Sequence, residues 1–369
     1  MTRVLIAPDK FKGTLPAHDV ARAVADGLRR VHHDLDVECL PVADGGDGTL
    51  DAAVSAGFER VPVTVAGPTG EPVETSYARR GSTAVVEMAD ACGLERLPGG
   101  VREPLTASSR GLGEVMAAAL DAGCRELVVG IGGSASTDGG AGLLAALGAV
   151  AHPAVPDGGA ALPEVSALSL DGLHPGLADA RVVVACDVDN PLTGPDGAAA
   201  VYGPQKGATP DDVVALDAAL GHWAGVLAAT TGADRRDVPG AGAAGGVGFA
   251  LVAALDAELR PGIALMLDLL GFAERVHGAD LVVTGEGSLD AQSLRGKAPV
   301  GVASAAATAG VPVVAVCGRR LLDDEELAGG GISAAYALVD VEPDVDTCMS
   351  EPARLLADLG ERIARRHLA

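Results

Sequence analysis

In DLVVTGEGSLDAQSLRGK, Asp280–Lys297, an apolar run stops abruptly in a segment dense with glycine, acid, hydroxyl and cationic groups. Leu281-Val282-Val283 is too short for a helix and rich in β-branched residues, and Ala298-Pro299 opens an alanine-rich segment that ends at Gly310. The pattern is strand, loop, helix. In open α/β sheets a loop at the carboxyl end of a parallel strand is where ligands bind. Glu286 and Asp290 are suited to hold a metal ion or accept a proton, and Ser288 offers a hydroxyl to a substrate or phosphate. Lys297 stands beside the coming helix start and can neutralise a phosphate there. Ordinary βα turns also require glycine and polar residues, so one such loop decides little. The chain, however, repeats it.

Arg3–Ala7 is a short apolar strand followed by PDKFKGT, which carries Lys10 and Lys12. Val37–Val42 runs into ADGGDGT, where Asp44 and Asp47 are three apart with glycines between them, a spacing that serves either one cation or a tight turn. Glu126–Val129 leads into GIGGSASTDGGAG, Gly130–Gly142. Arg181–Cys186 leads into a long loop with Asp187, Asp189 and Asn190 at its start and Lys206 near its end. Helices are predicted over 16–31, with Val20, Val24, Leu28 and Val31 on one face, over 106–122, after the Thr209 cap with Pro210 at the first position, and over 351–366. GAGAAGGVG, Gly240–Gly248, does not follow a strand and reads as a flexible or close-packing loop.

Between Arg60 and Glu87 the texture changes to short β-branched runs separated by GPTGEP and ARRGS, the mark of antiparallel hairpins in a mixed sheet. The expected architecture is therefore α/β: a Rossmann-like, doubly wound parallel sheet of about six strands, with a second, smaller α/β domain. The six strands are 3–7, 37–42, 126–129, 281–284, 312–317 and 333–338, expected in the order 3-2-1-4-5-6. Residues 1–60, 104–145 and 260–369 are assigned to the first domain and 61–103 and 146–259 to the second, with the active site in the cleft between them. In that order the loops after the first and fourth strands flank one crevice, and Lys10, Lys12 and Lys297 form its cationic lining.

The 369 residues carry a formal net charge of -23, which repels a phosphate backbone over most of the surface and argues against nucleic acid as partner. An anionic ligand must instead be held by local cations and backbone N–H groups. Hydrophobic residues make up 48% and aromatics 2%, so the core is aliphatic. No run approaches the ~18 apolar residues of a membrane span, and MTRVLIAPDK does not resemble a signal peptide; a cytoplasmic protein without membrane partners is expected. The six cysteines are scattered and read as buried free thiols, and the histidines show no zinc-binding spacing.

Gly130, Gly132 and Ala135 match a dinucleotide fingerprint, but the match is weak, since that fingerprint belongs to the first βα turn. Ser134 lies in G-x-S-x-S, which is not the hydrolase elbow. What remains is a nest of N–H groups with Ser134, Ser136, Thr137 and Asp138, suited to phosphate or carboxylate oxygens.

Six stretches together, APDKFKGTL (Ala7–Leu15), ADGGDGT (Ala43–Thr49), GIGGSASTDGG (Gly130–Gly140), CDVDNPLTGPDGA (Cys186–Ala198), YGPQKGA (Tyr202–Ala208) and TGEGSLDAQSLRGKAP (Thr284–Pro299), resemble in sequence and order the motifs of the bacterial glycerate kinases of the first type. The resemblance covers essentially the whole chain. It departs at Ala135-Ser136-Thr137, where the family commonly has Ala-Thr-Asn or Ala-Thr-Thr, and at Tyr202, often phenylalanine; neither change removes a charge. It implies transfer of the ATP γ-phosphoryl group to D-glycerate with Mg²⁺, usually giving 2-phosphoglycerate, by a monomer or homodimer. On that reading Lys10, Asp187 and Lys297 are the candidate catalytic residues. Lys12, Gly132, Gly133, Ser134, Asn190, Lys206 and Ser288 are candidates for binding substrate or phosphate, and Asp44, Asp47, Glu286 and Asp290 for binding metal. Two rivals remain, a nicotinamide oxidoreductase and a non-catalytic sugar-acid sensor.

Overall fold

A computed structural model describes residues 2–155 and 157–368. Its strands, in chain order, are β1 Arg3–Pro8, β2 Asp36–Cys39, β3 Glu59–Ala66, β4 Pro72–Arg80, β5 Thr83–Glu87, β6 Glu126–Gly130, β7 Val150–His152, β8 Ala167–Ser169, β9 Arg181–Ala185, β10 Glu258–Arg260, β11 Leu281–Leu289, β12 Val313–Arg320 and β13 Ala334–Ala337. The chain divides into two compact units. One comprises the chain up to Asp44, Asp51–Ala56 and the chain from Ile263; the other comprises Gly45–Leu50 and Gly57–Gly262.

The first unit holds a five-stranded sheet in the order β13-β12-β11-β1-β2 with every pairing parallel. Successive residues of β1 enter opposite cores: Val4 and Ile6 pack with the helices Ala17–Val31 and Pro352–His367, whereas Leu5 and Ala7 pack with Ile263, Met266 and Val302. Helices on both faces make the sheet doubly wound, and burial on both faces explains why its strands read as unbroken aliphatic runs. The two helices on the first face approach until their backbones nearly touch. A Cβ on Gly27 would meet the Ala357 carbonyl oxygen at 2.0 Å, and one on Gly360 the Val24 carbonyl oxygen at 2.5 Å, so both positions need glycine. From β1 the chain moves outward to β2, and from β11 outward the other way to β12 and β13. The topological switch point, where such sheets bind ligands, therefore lies between β1 and β11, whose paired ends are Pro8 and Gly285.

The second unit is built on a six-stranded mixed sheet, β10-β9-β6-β5-β4-β3, in which β3, β4 and β5 pair antiparallel and β5, β6, β9 and β10 parallel. The hairpin reading of residues 60–87 matches this pairing. One expected strand is misplaced: β6 pairs with β5 and β9, not with the first unit's sheet, and the helix Arg110–Asp121 buries Leu112, Val115 and Met116 in the second unit's core. Residues 104–145 thus belong to the second unit and not to the first. A parallel strand buried on both faces carries no sequence mark of which sheet it joins.

Helix Pro210–Thr231 begins with a capping box between Thr209 and Asp212. By length and apolar composition it is long enough to cross a membrane, which the sequence reading missed, but Leu216, Leu220, Trp223 and Leu227 lie in the core of the second unit. Residues 243–255 form a helix interrupted by left-handed residues Ala244–Gly246, not a flexible loop. Close packing is the reason for the glycines: a Cβ on Gly245 would meet the Ser136 carbonyl oxygen at 2.1 Å. Cys92, Cys124, Cys317 and Cys348 are buried free thiols as expected, while Cys186 is partly buried and Cys39 exposed.

Candidate active site

At the switch point the chain leaves β1 through Asp9 and Lys10. The Asp9 N–H donates to the Gly285 carbonyl at 2.8 Å, and the Asp9 carboxylate accepts the Lys10 N–H at 2.6 Å. On the neighbouring strand β11 runs to Leu289, so Glu286 and Ser288 stand on its carboxyl end and the loop begins only at Asp290. The strand is longer than the apolar run suggested because Gly285, Glu286 and Ser288 stay paired with Val316, Cys317 and Arg319 of β12. Ser293 Oγ donates to Glu286, and the Asp290 carboxylate accepts the Gln292 N–H at 2.8 Å. Lys297 stands at the start of the helix Ala298–Thr308, as the sequence suggested, in the N-cap position but without a side-chain cap bond, its Nζ 3.3 Å from Gln292 Oε1.

Carboxylates crowd here. Burial, then the Asp44 charge, raises the Asp9 carboxyl from its usual 3.8 to about 7, with Glu286 adding to the rise and Lys10 opposing it. Burial also raises Glu286; the Ser293 hydrogen bond and Lys297 hold it down, and Asp290 and Asp44 push it up. Asp9 was not singled out in the sequence, although a carboxylate directly after an apolar strand was the available signal. Arg319 was also missed; its Nε donates to Ser288 Oγ at 3.1 Å. Lys12 is exposed.

Among the described residues no group of three or more His, Cys, Asp or Glu side chains could by itself hold a metal ion. Asp44 belongs to the first unit and the exposed Asp47 to the second. Mg²⁺ does not need such a group, because it takes one or two carboxylates and completes its shell with water and substrate phosphates. The hard oxygen donors Asp9, Asp44 and Glu286, where burial first and the neighbouring charges second raise Asp9, fit that requirement.

In the second unit the loop after β6 is built differently from an oxidoreductase fingerprint. Gly130 ends β6, and the next helix, Ala141–Ala146, starts well beyond Ala135, so no helix N-terminus stands at the glycine turn. The loop is braced from inside. Lys206, 2% exposed, donates to Ser134 Oγ at 2.8 Å and to the Ser136 carbonyl at 2.5 Å, so it does not project toward a phosphate as expected. Asp138 is fully buried; burial raises it, and hydrogen bonds led by those of Ser109 oppose the rise without cancelling it. Glu87, at the carboxyl end of β5, accepts the Gly48 and Leu50 N–H groups at 3.1 and 2.9 Å and is raised to about 7, chiefly by burial. It was missed because β5 was read only as a hairpin strand.

The Asp187 loop is tied to backbone. Asp187 Oδ1 accepts the Gly262 N–H at 2.7 Å, at the point where the chain passes from the second unit to the first. Asn190 Oδ1 accepts the Tyr202 hydroxyl at 2.6 Å, and its Nδ2 donates to the Asp196 carbonyl at 2.8 Å. These contacts order the loop, and they give Asn190 partners within the protein.

Comparison with known proteins agrees along the full length. The family model described as the glycerate kinase family matches residues 4–368. The chain is 43% identical to a glycerate kinase of Bacillus subtilis (strain 168), covering 98% of this chain and 96% of that one. It is 44% identical to a glycerate 2-kinase of Escherichia coli (strain K12), covering 91% and 90%. The solved structure of a protein named glycerate kinase 2 from Salmonella typhimurium LT2 superposes with a TM-score of 0.86 at 40% identity, covering 99% of this chain and 97% of that one. With its motifs at the ends of strands β1, β6, β9 and β11 and its matches running from one end to the other, the chain belongs to the glycerate kinase family.

Proposed function

We propose that the protein transfers the γ-phosphoryl group of ATP to D-glycerate with Mg²⁺, giving 2-phosphoglycerate and ADP. The observation that carries this reading is the pairing of cations, Lys10 and Lys297, with carboxylates, Asp9, Asp44 and Glu286, around the β1/β11 switch point of a glycerate kinase family chain. Phosphoryl transfer asks mainly for positioning and charge neutralisation, with a proton acceptor near the attacking hydroxyl. Lys10 and Lys297 neutralise the glycerate carboxylate and the phosphoryl group in transfer, the cationic service that a chain of net charge -23 must supply locally. Asp44 and Glu286 would hold Mg²⁺, which supplies charge stabilisation on the phosphate oxygens when bound. Asp9, poised near neutrality, exchanges a proton readily at physiological pH and joins Asp187 as a candidate acceptor for the glycerate hydroxyl proton. The N–H groups of Gly132–Ser134 receive nucleotide phosphate oxygens.

The same reading expects a cytoplasmic monomer or homodimer, which light scattering on the purified protein resolves for the oligomer. A coupled assay of ADP release with D-glycerate and with other small hydroxy acids tests the activity. Turnover of another hydroxy acid at the expense of glycerate, or nicotinamide reduction without ADP release, would overturn the substrate or the reaction class.

A further inference from the structure

Lysine is a surface residue by type, yet Lys206 is buried, and desolvation lowers it to about 7 although Asp138 and the Cys92 thiol favour its charge. A side chain of similar volume without charge would avoid that cost. The ammonium grips two points of one segment, Ser134 Oγ and the Ser136 carbonyl. The far end of the same segment is fixed by Asp138, which accepts from Ser109 N–H and Oγ at 2.8 Å each, Gly140 N–H at 3.1 Å and Gly142 N–H at 3.2 Å. Between them Ser136 Oγ and Thr137 Oγ1 are buried and, among the described residues, have no hydrogen-bond partner, a cost that the fold carries at this segment. Gly133, next to the braced Ser134, is exposed, with a left-handed φ of 72°. Among the described residues the N–H groups of Gly133 and Ser134 meet no protein acceptor. A costly interior brace thus ends beside two N–H donors, one of them on the exposed Gly133.

We propose that Lys206 is a positioning residue for phosphoryl transfer: without touching substrate, it holds Ser134 and Ser136 so that the Gly133–Ser134 N–H pair receives nucleotide phosphate oxygens. This rests on the reading of the chain as an ATP-dependent kinase. The variants are Lys206→Met and Ser134→Ala in the full chain. The measurements are kcat, KM for ATP and for glycerate separately, ADP affinity by calorimetry, and the melting temperature. For Lys206→Met the KM for ATP and the Kd for ADP rise at least about tenfold, while the glycerate KM stays within about twofold. Ser134→Ala, which removes one grip and leaves the charge, moves the nucleotide constants the same way by about threefold. A folded Lys206→Met whose nucleotide constants stay near the parent's overturns the proposal. So does a loss shared equally by ATP and glycerate with a falling melting temperature, the mark of a merely structural lysine. If Lys206→Met does not fold, Ser134→Ala decides by the same split between nucleotide and glycerate. A parent that binds ADP but shows no ATP-dependent turnover defeats the kinase reading instead, and the calorimetric comparison still judges Lys206.

Discussion

Replacing Asp9 with asparagine should make the protein more stable above neutral pH while nearly abolishing its activity. The folded chain raises this carboxyl from 3.8 to about 7, through burial first and then the charges of Asp44 and Glu286. A folded value above the unfolded one means that the native state favours the protonated acid. The stability contributed by Asp9 is present below about pH 4 and is lost as pH rises through about 7. At 1.36 kcal/mol per pH unit, a rise of about 3 units gives an upper bound of about 4 kcal/mol for the cost of the carboxylate at pH 8. The side chain retains partial exposure, so about 1–3 kcal/mol is the expected gain on neutralising it. Asparagine keeps an oxygen for the Lys10 N–H, so that hydrogen bond is not lost. Thermal melts of parent and variant from pH 4 to 8 should coincide at the acid end and diverge upward, by about 2–4 °C per kcal/mol for a domain of roughly 150–250 residues. Mg²⁺ should narrow the gap, since a cation stabilises the parent's carboxylate. Meanwhile kcat/KM should fall by about 100-fold or more. A variant less stable than the parent at pH 8, or a difference that ignores pH, would refute the electrostatic reasoning.

Lys297→Ala should lower kcat/KM by at least about tenfold, or about 1.4 kcal/mol of transition-state stabilisation, with an unchanged circular dichroism spectrum; a folded variant within about twofold would make Lys297 a solvated cap. Chelation of divalent cations should stop ADP release, and restoring Mg²⁺ should return it; a rate indifferent to chelator would remove Mg²⁺ from the reaction. Asp138→Ala strands the Ser109, Gly140 and Gly142 donors and leaves Lys206 without its counter-charge, so the second unit should lose about 3–5 kcal/mol in urea unfolding.

The switch point was legible because its signs are local. Glycine-rich loops follow apolar runs at β1 and β11, and the expected order of the first, second, fourth, fifth and sixth strands matches the β13-β12-β11-β1-β2 sheet. The partner sheet of β6 was not legible, since Leu127-Val128-Val129 would suit any parallel sheet buried on both faces. The environment of the charged groups at the candidate site was not legible. Asp9 and Glu87 depend on burial and on neighbours distant in sequence, and a cation such as Lys206 cannot be told from a phosphate ligand until its tertiary partners are known. The β11 extension was hidden because Gly285 and Gly287 look like loop residues, although Gly285 is required by the close Val316 carbonyl, 2.4 Å from where its Cβ would stand.

The most direct test of the central claim is phosphorus NMR on the purified protein mixed with ATP, D-glycerate and Mg²⁺. The γ-phosphate resonance should decay in step with the growth of one phosphomonoester, coupled to the proton on carbon 2 of glycerate, and of ADP. Growth of inorganic phosphate alone, or no loss of the γ-phosphate signal at any glycerate concentration, would contradict it.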